Sequence, residues 1–262
     1  MRRPSYLSAL VLPLLSPACL DPDPVPESNY GVIGLTTIVT PVDTLLSPEA
    51  QFYRTGLLGL PTSRVLSDQC QIAAYPTPSQ GTQLPRFLDA GDSVAVSTTA
   101  TTKFLFPTTS QNGESYVLGQ TDEFPFRPGE RVTVTVPGAP GGFTNGTIDV
   151  LTAQGFTLGE IPATPAADES IDLTWTPAGD DSTKMLVSIQ YGVGQLQANQ
   201  QIFCSLIDDG AAEIPPILLT QYRTATAGSR AVEAARWRVS AKEVTGGVLL
   251  VISAFEVDDV ID

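Results

Sequence analysis

Apolar and polar residues alternate in short runs along most of this chain, at the two-residue spacing of a β-strand with one buried face. Residues 131–136 (Arg-Val-Thr-Val-Thr-Val) are the clearest case, because the three valines should face a core and the two threonines should face water. The pattern predicts a chain made almost wholly of strands. Comparable runs predict strands at 30–40, 50–54, 69–75, 93–97, 103–106, 115–118, 171–175, 185–191, 201–207, 230–242 and 247–257.

Turn-forming residues separate these runs at the close, regular spacing that is typical of β-sandwiches. The chain contains 22 glycines and 22 prolines, and Asn112-Gly113 and Gly246-Gly247 are hairpin signals. Residues 217–222, directly after two prolines, are the one segment that predicts a short helix. We therefore expect an all-β protein with two Ig-like β-sandwich domains of antiparallel strands.

The densest cluster of turn residues lies at 137–142 (Pro-Gly-Ala-Pro-Gly-Gly). Such a cluster interrupts secondary structure and is typical of a domain boundary. We expect the boundary within 137–166 and assign the first sandwich to 30–140 and the second to 141–262.

The first nineteen residues have the layout of a secretory signal. Arg2 and Arg3 precede an apolar run at 6–15, which is followed by Ser-Pro-Ala and then Cys19. The run is shorter than the roughly 20 apolar residues that a membrane-spanning helix needs. An ending on cysteine resembles a bacterial lipoprotein signal, which implies a signal peptide at 1–18 and a lipid on Cys19. Cleavage as an ordinary signal, or at another small residue, is the alternative, because the residues before Cys19 depart from the usual lipoprotein pattern.

Residues 19–29 should form an extended tether, because 20–29 contain three prolines and three acidic residues. The whole chain has 14 Lys and Arg against 28 Asp and Glu. Residues 1–18 include two of these basic residues and no acidic one, so the mature net charge is −16 (12 − 28). A surface this acidic repels phosphate backbones and anionic lipid, so nucleic acid is not an expected partner. Membrane attachment is expected through the lipid alone.

The sequence contains no histidine. This excludes Ser-His-Asp and Cys-His catalysis, histidine metal sites and histidine pH switches. Two cysteines remain besides Cys19, namely Cys70 and Cys204. An extracytoplasmic location would permit a disulfide between them, and two separate buried thiols are the alternative.

Two sets of acidic residues could carry chemistry. Loop carboxylates can bind calcium, but Asp is also a common turn residue, and we favour turns for Asp180-Asp181 and Asp208-Asp209. Paired carboxylates can cleave glycosides, but an acidic protein offers many such pairs on a solvated face. We therefore expect no catalytic residue, no metal site and no cofactor. The candidates for a carboxylate pair are Asp89, Asp92, Asp122, Glu123 and Glu130.

The chain has two tryptophans that could stack on a sugar. Trp175 alternates with Ile171 and Leu173, which predicts a buried position in a sandwich. Trp237 lies between Arg236 and Arg238, which should point away from it into solvent. Both tryptophans are therefore expected in the core.

Several segments resemble uncharacterised bacterial lipoproteins with Ig-like sandwiches. They are 88–92 (Leu-Asp-Ala-Gly-Asp), 126–130 (Phe-Arg-Pro-Gly-Glu), 172–177 (Asp-Leu-Thr-Trp-Thr-Pro), 203–210 (Phe-Cys-Ser-Leu-Ile-Asp-Asp-Gly) and Ile214-Pro215. The resemblance implies a fold and a location in the cell envelope, and it transfers no functional residue.

These observations favour a binding or structural role over an enzyme. We expect a membrane-tethered lipoprotein of the periplasm or cell surface that presents a β-sandwich scaffold to a protein or glycan partner, either as a free-standing module or as an accessory subunit of an envelope complex. The alternative is a carboxylate-based enzyme that acts on polysaccharide. A cleft with two carboxylates and aromatic walls would favour the enzyme, and an apolar patch on the acidic surface would favour a partner.

Overall fold

The computed structural model of the protein describes residues 28–39, 44–55, 68–75, 86–110, 113–119, 123–194, 197–225 and 230–261. The predicted signal, the predicted lipidation site Cys19 and most of the predicted tether lie outside these residues, as does Asp122.

The described residues form fifteen strands and very little helix, which confirms the all-β fold class. A 3₁₀ helix at Pro216–Leu219 leads into one turn of α-helix, α1 (Thr220–Arg223), at the place predicted for a helix. The strands are β1 (Ser28–Val39), β2 (Thr44–Thr55), β3 (Gln69–Ala74), β4 (Arg86–Phe87), β5 (Val94–Ser97), β6 (Thr102–Ser110), β7 (Gly113–Val117), β8 (Arg131–Val136), β9 (Gly146–Leu151), β10 (Ile171–Thr174), β11 (Thr183–Tyr191), β12 (Gln200–Ile207), β13 (Ala211–Ile214), β14 (Ala231–Val244) and β15 (Gly247–Val260).

Thirteen of the strands belong to one continuous sheet. Its order is β3-β12-β11-β14-β15-β1-β2-β7-β6-β5-β8-β9, with β4 paired to β2. The pairing of β1 with β15 is parallel, and the other pairs are antiparallel. Strands β10 and β13 form a separate two-stranded sheet.

The first apolar core lies between β1, β2 and β15 on one side and β5, β8 and β9 on the other. Val132, Val134 and Val136 are buried in it, while Thr133 and Thr135 are not, as the alternation predicted. Leu249 and Val251 of β15 complete this core. The last strand of the chain therefore helps to build the core of its first half.

The second apolar core lies under β11, β12 and β14 and is closed by the small sheet of β10 and β13. The alternating residues of β11, from Met185 to Tyr191, are buried in it together with Trp175 and Phe255. A disulfide joins Cys70 of β3 to Cys204 of β12, across 134 residues of sequence. The disulfide thus fixes an edge strand from the first half of the chain to the second core.

Segments from both sides of residue 140 contribute to both cores. Strand β3 pairs with β12, whereas Ile148 and Val150 of β9 pack in the first core. The two cores therefore share one sheet, and the division into domains at 140 and 141 stays a prediction.

Candidate functional site

Strand β14 presents opposite residue types on its two faces. Arg236 and Arg238 are buried at 0% and 9% exposure, while Trp237 between them lies on the other face. The prediction that the two arginines point into solvent is wrong. Strand alternation predicts the two faces correctly, but polarity alone does not show which face is buried, and acidic residues from the turns before β11 and after β12 hold both arginines inside.

Asp208 is the acid that holds Arg236. The Arg236 Nε and Nη2 groups donate to Asp208 Oδ2 and Oδ1 at 2.7 and 2.9 Å, and both side chains are essentially inaccessible to solvent. The remaining guanidinium hydrogens bond the backbone carbonyls of Gln154, Gly155 and Thr176. All the donors of Arg236 are therefore used inside the protein, as a buried charge requires.

Asp208 has two further donors. Trp175 Nε1 donates to its Oδ1 at 2.8 Å, and Thr183 Oγ1 donates to its Oδ2 at 2.7 Å. Burial alone would raise the pKa of Asp208, but the hydrogen bonds from Arg236, Thr183 and Trp175 outweigh burial and hold that pKa below its ordinary value. Trp175 is buried, as predicted, but strand alternation does not indicate that its indole donates to a carboxylate. We call Trp175, Thr183, Asp208 and Arg236 the buried network.

Arg238 makes a more exposed ion pair at the edge of the second core. It bonds the carboxylate of Asp180 and the hydroxyl of Ser182. Hydrogen bonds from Ser182, helped by Arg238, lower the pKa of Asp180. In the described part of the chain, no group of three His, Cys, Asp or Glu side chains is arranged to hold a metal ion. The predicted acidic loop pairs thus supply one acid each, Asp180 and Asp208, to an arginine.

Two of the acids predicted as candidates for a catalytic pair, Asp89 and Glu130, accept hydrogen bonds within turns. Asp89 Oδ1 accepts hydrogen bonds from the Gly91 amide and the Tyr116 hydroxyl. Glu130 accepts one from the Arg127 amide across the predicted turn. Neither lies in the groove described next.

A concave groove of about 420 Å³ lies on the outer face of the sheet formed by β12, β11, β14 and β15. Apolar and aromatic side chains from three strands line one part of it, and acidic side chains from two strands line the other. We call these residues the outer groove: Leu186, Phe203, Glu233, Trp237, Glu256 and Asp258.

Strand register explains why these residues meet. Glu233 of β14 is paired directly with Asp258 of β15, and Ala235 is paired with Glu256. The three carboxylates therefore occupy neighbouring positions on one face, because cross-strand and two-apart residues share a face. On the other side, Ser188 of β11 is paired with both Glu233 and Phe203, which brings Phe203 into the same row.

The three carboxylates of the outer groove have no basic partner among the ion pairs of the described residues. Partial burial raises the pKa of Glu256, and the neighbouring charges of Glu233 and Asp258 raise it further. Trp237 is half-buried beside them, and its Nε1–H has no hydrogen-bond partner. The outer groove thus combines apolar surface with concentrated negative charge.

The outer groove is not predicted by the residue pattern. Glu233 and Trp237 lie four residues apart on β14, so they share a strand face. This spacing indicates a surface site only if that face is assigned to the outside of the sheet, whereas we expected Trp237 in the core. Glu256 and Asp258 join them only through the β14–β15 register. The expectation that Trp237 lies in the core is wrong, because its side chain is on the outer face.

Among the described residues, no helix has the length and apolar character that a membrane-spanning segment requires. No protein-family model matches the sequence, and no curated protein is significantly similar to it.

Proposed function

We propose that the protein is a bacterial lipoprotein of the cell envelope, anchored by a lipid on Cys19, that binds a protein or glycan partner through its β scaffold. We further propose that its two apolar cores belong to two Ig-like sandwiches. The division between them then falls after β9 (Gly146–Leu151), within the interval 137–166 that the turn cluster indicates. The protein acts either as a free-standing module or as an accessory subunit of a larger envelope assembly.

Two features support the location outside the cytoplasm. The first nineteen residues have the order of a secretory signal ending on Cys19. The disulfide between Cys70 and Cys204 suits an oxidising compartment, because cytosolic thiols are kept reduced.

The observation that carries a binding role is the outer groove. Tryptophan is among the residue types most often found at the energetic centre of a binding surface, and Trp237 lies here beside the apolar side chains of Phe203 and Leu186. Among the described residues, most large apolar side chains are buried in the two cores, whereas these three line a cavity on the outer face of the sheet. Such a concave apolar surface with a few polar groups is typical of ligand sites.

The polysaccharide enzyme has one observation in its favour. Glu256 has a raised pKa beside two further carboxylates and an aromatic side chain, as a general acid in a glycosidase does. Its geometry is less favourable. Glu233, Glu256 and Asp258 all project from one face of a sheet, whereas glycosidases place their two carboxylates on either side of the bond that is cleaved. We therefore keep the enzyme as the second candidate.

The binding role is tested on the native protein. The tagged chain is isolated from its own envelope, its N-terminus is examined by mass spectrometry, and its partner is identified after cross-linking. We expect a lipid-modified Cys19. We expect the partner to be lost from the Phe203→Ser variant and retained by the matched Phe104→Ser variant. Phe104 serves as the control because it is exposed on β6, far from the groove in the sheet order. A mature N-terminus without lipid would contradict the anchor, and a partner retained by both variants would contradict the site.

The enzyme is tested separately with envelope polysaccharides as substrates. Turnover that disappears in Glu256→Gln, while the variant still binds the same glycan, would establish the second candidate and displace the binding role. Absence of turnover with retained glycan binding would leave the groove as a binding site.

A further inference from the structure

The acids of the outer groove repel one another in the absence of a ligand. Glu233 and Asp258 are direct cross-strand neighbours, and Glu256 lies beside both. Like charges placed directly opposite each other destabilise a sheet. The three carboxylates lie beside the half-buried ring of Trp237, so a positive charge placed there would be stabilised.

No cation of the described chain fills this place. The ion pairs of the described residues join Arg236 to Asp208 and Arg238 to Asp180, and both arginines lie on the opposite face of β14. Lys184 is paired in register with Trp237, so it is the nearest basic position on the outer face, two rows from Glu233 and Asp258. The charge of the groove is therefore complementary to a cation supplied from outside.

The distance between the apolar and acidic parts of the groove indicates how long that ligand must be. Phe203 and Asp258 lie on β12 and β15, three strand spacings apart, which is about 14 Å at roughly 4.8 Å per spacing. A single small amine covers only part of this distance. An extended peptide with an apolar residue near an arginine or lysine covers it, with the apolar side chain on Phe203 and Leu186 and the cation at the acids.

We propose that the outer groove binds an extended segment of a partner protein in which a basic residue follows an apolar one. The cation lies between Glu233, Glu256 and Asp258 and against the ring of Trp237, whose face attracts cations. A guanidinium fits this position best, because it bonds carboxylates in a bidentate manner and stacks on aromatic rings. This inference rests on the proposed binding role and narrows its partner to a protein with a basic segment.

The test uses two peptides of the same shape. They are acetyl-Leu-Gly-Arg-Gly-Leu-amide and its analogue with citrulline, which is uncharged, in place of arginine. Binding to the mature protein is followed by NMR, through the indole Nε1–H resonance of Trp237, which a Trp237→Phe variant assigns. We expect saturable movement of this resonance by the arginine peptide at near-physiological salt and affinity at least about tenfold weaker for the citrulline peptide.

A matched pair of variants separates the groove from the general attraction of an acidic protein for a cation. Glu233→Gln with Glu256→Gln removes two groove charges, and Asp172→Asn with Glu213→Gln removes two charges of a directly paired, exposed couple on β10 and β13. We expect about tenfold weaker binding in the groove variant and less than twofold in the control. Equal losses in the two variants, or equal affinity for the two peptides, would overturn the proposal.

The same experiment distinguishes the failure of this inference from the failure of the binding role. A neutral glycan that moves the Trp237 resonance, with no response to the arginine peptide, overturns the basic-segment proposal and retains the groove as a binding site. If the groove variant still binds a partner recovered from the native envelope, both the basic-segment proposal and the groove as the binding site are overturned. The binding role then lies elsewhere on the chain.

Discussion

The two faces of β14 carry charged and aromatic residues in opposite electrostatic situations. On the inner face, Arg236 meets Asp208, and every donor and acceptor of the buried network has a partner. On the outer face, Glu233 meets Asp258, and the indole Nε1–H of Trp237 has no partner. Balanced polar groups stabilise a single packed arrangement, whereas unbalanced ones leave interactions available to a ligand. The same strand thus serves stability with one face and, in our proposal, binding with the other.

The largest expected effect comes from breaking the balanced face. Asp208→Ala leaves the guanidinium of Arg236 buried without its carboxylate and removes the acceptor of Trp175 and Thr183. We expect a loss of about 3–5 kcal/mol in the free energy of unfolding, measured with urea at pH 7. Asp209→Ala, which changes the exposed neighbour, is the control and should cost at most about 0.5 kcal/mol.

This effect should depend on pH in a defined direction. Because the pKa of Asp208 is lowered in the folded protein, its contribution is present above the ordinary aspartate pKa of about 3.9 and is lost as pH falls through the lowered value. The difference between the parent and Asp208→Ala should therefore shrink below about pH 4. A difference that grows on acidification would mean that the carboxylate is not held in its charged form by Arg236.

The two tryptophans test the same difference between the faces of β14, and the expected effect on stability is smaller. Trp175→Phe removes a donor to Asp208 and some buried volume, so we expect a loss of about 1–3 kcal/mol. Trp237→Phe removes an Nε1–H that has no partner, so it loses no hydrogen bond. Thermal unfolding of both variants checks this, and equal changes in the two would contradict the difference between the faces.

Arg238→Ala tests how far the balanced face extends. Its partner Asp180 is about one third exposed, at 35% of the side chain, and solvent screens such a pair. We expect a loss near 1 kcal/mol that decreases in about 0.5 M salt. The cost of Asp208→Ala should change little with salt, and a strong salt dependence there would place the buried network in contact with solvent.

The smallest expected effect is a gain on the unbalanced face. The pKa of Glu256 is raised, so its charge destabilises the fold as pH rises from the unfolded to the folded pKa, and stability is highest below this window. Glu256→Gln should therefore stabilise the protein at pH 7 by roughly 0.2–1 kcal/mol, since it relieves the repulsion from Glu233 and Asp258. Unfolding at pH 3 should show no gain, and a loss at pH 7 would indicate that Glu256 has a partner.

Local pattern predicted most strands of this chain, and long-range pairing explains what it missed. The valines of β8 and the alternating residues of β11 identified their buried faces because apolar and polar residues strictly alternate there. The same rule failed on β14, where Arg236 is buried by an acid 28 residues earlier in the sequence. Polarity therefore assigns a charged residue to the correct strand face only where no opposite charge lies on the buried side.

The order of the strands in the sheet could not be predicted from the sequence, for a related reason. Nothing in the residues of β3 indicates that it pairs with β12, although Cys70 and Cys204 made a link conceivable. Strand β9 is absent from the predicted strands, because it lies just after the turn cluster and inside the interval 137–166 expected to hold the boundary. The acids of the outer groove come together through register between β14 and β15, which becomes known only when the strands are paired.

The parallel pairing of β1 with β15 has a consequence for how the protein is made. Asn29 is opposite Gly247, so 218 residues (247 − 29) separate partners at the centre of the sheet. Contacts this distant along the chain give a high contact order, and they slow folding because a very long loop must close before they form. In a chain exported from its N-terminus, the edge of β1 that pairs with β15 would stay unpaired until β15 emerged. Strand edges of this kind aggregate readily, so the interval before β15 arrives is when the protein would benefit most from a chaperone.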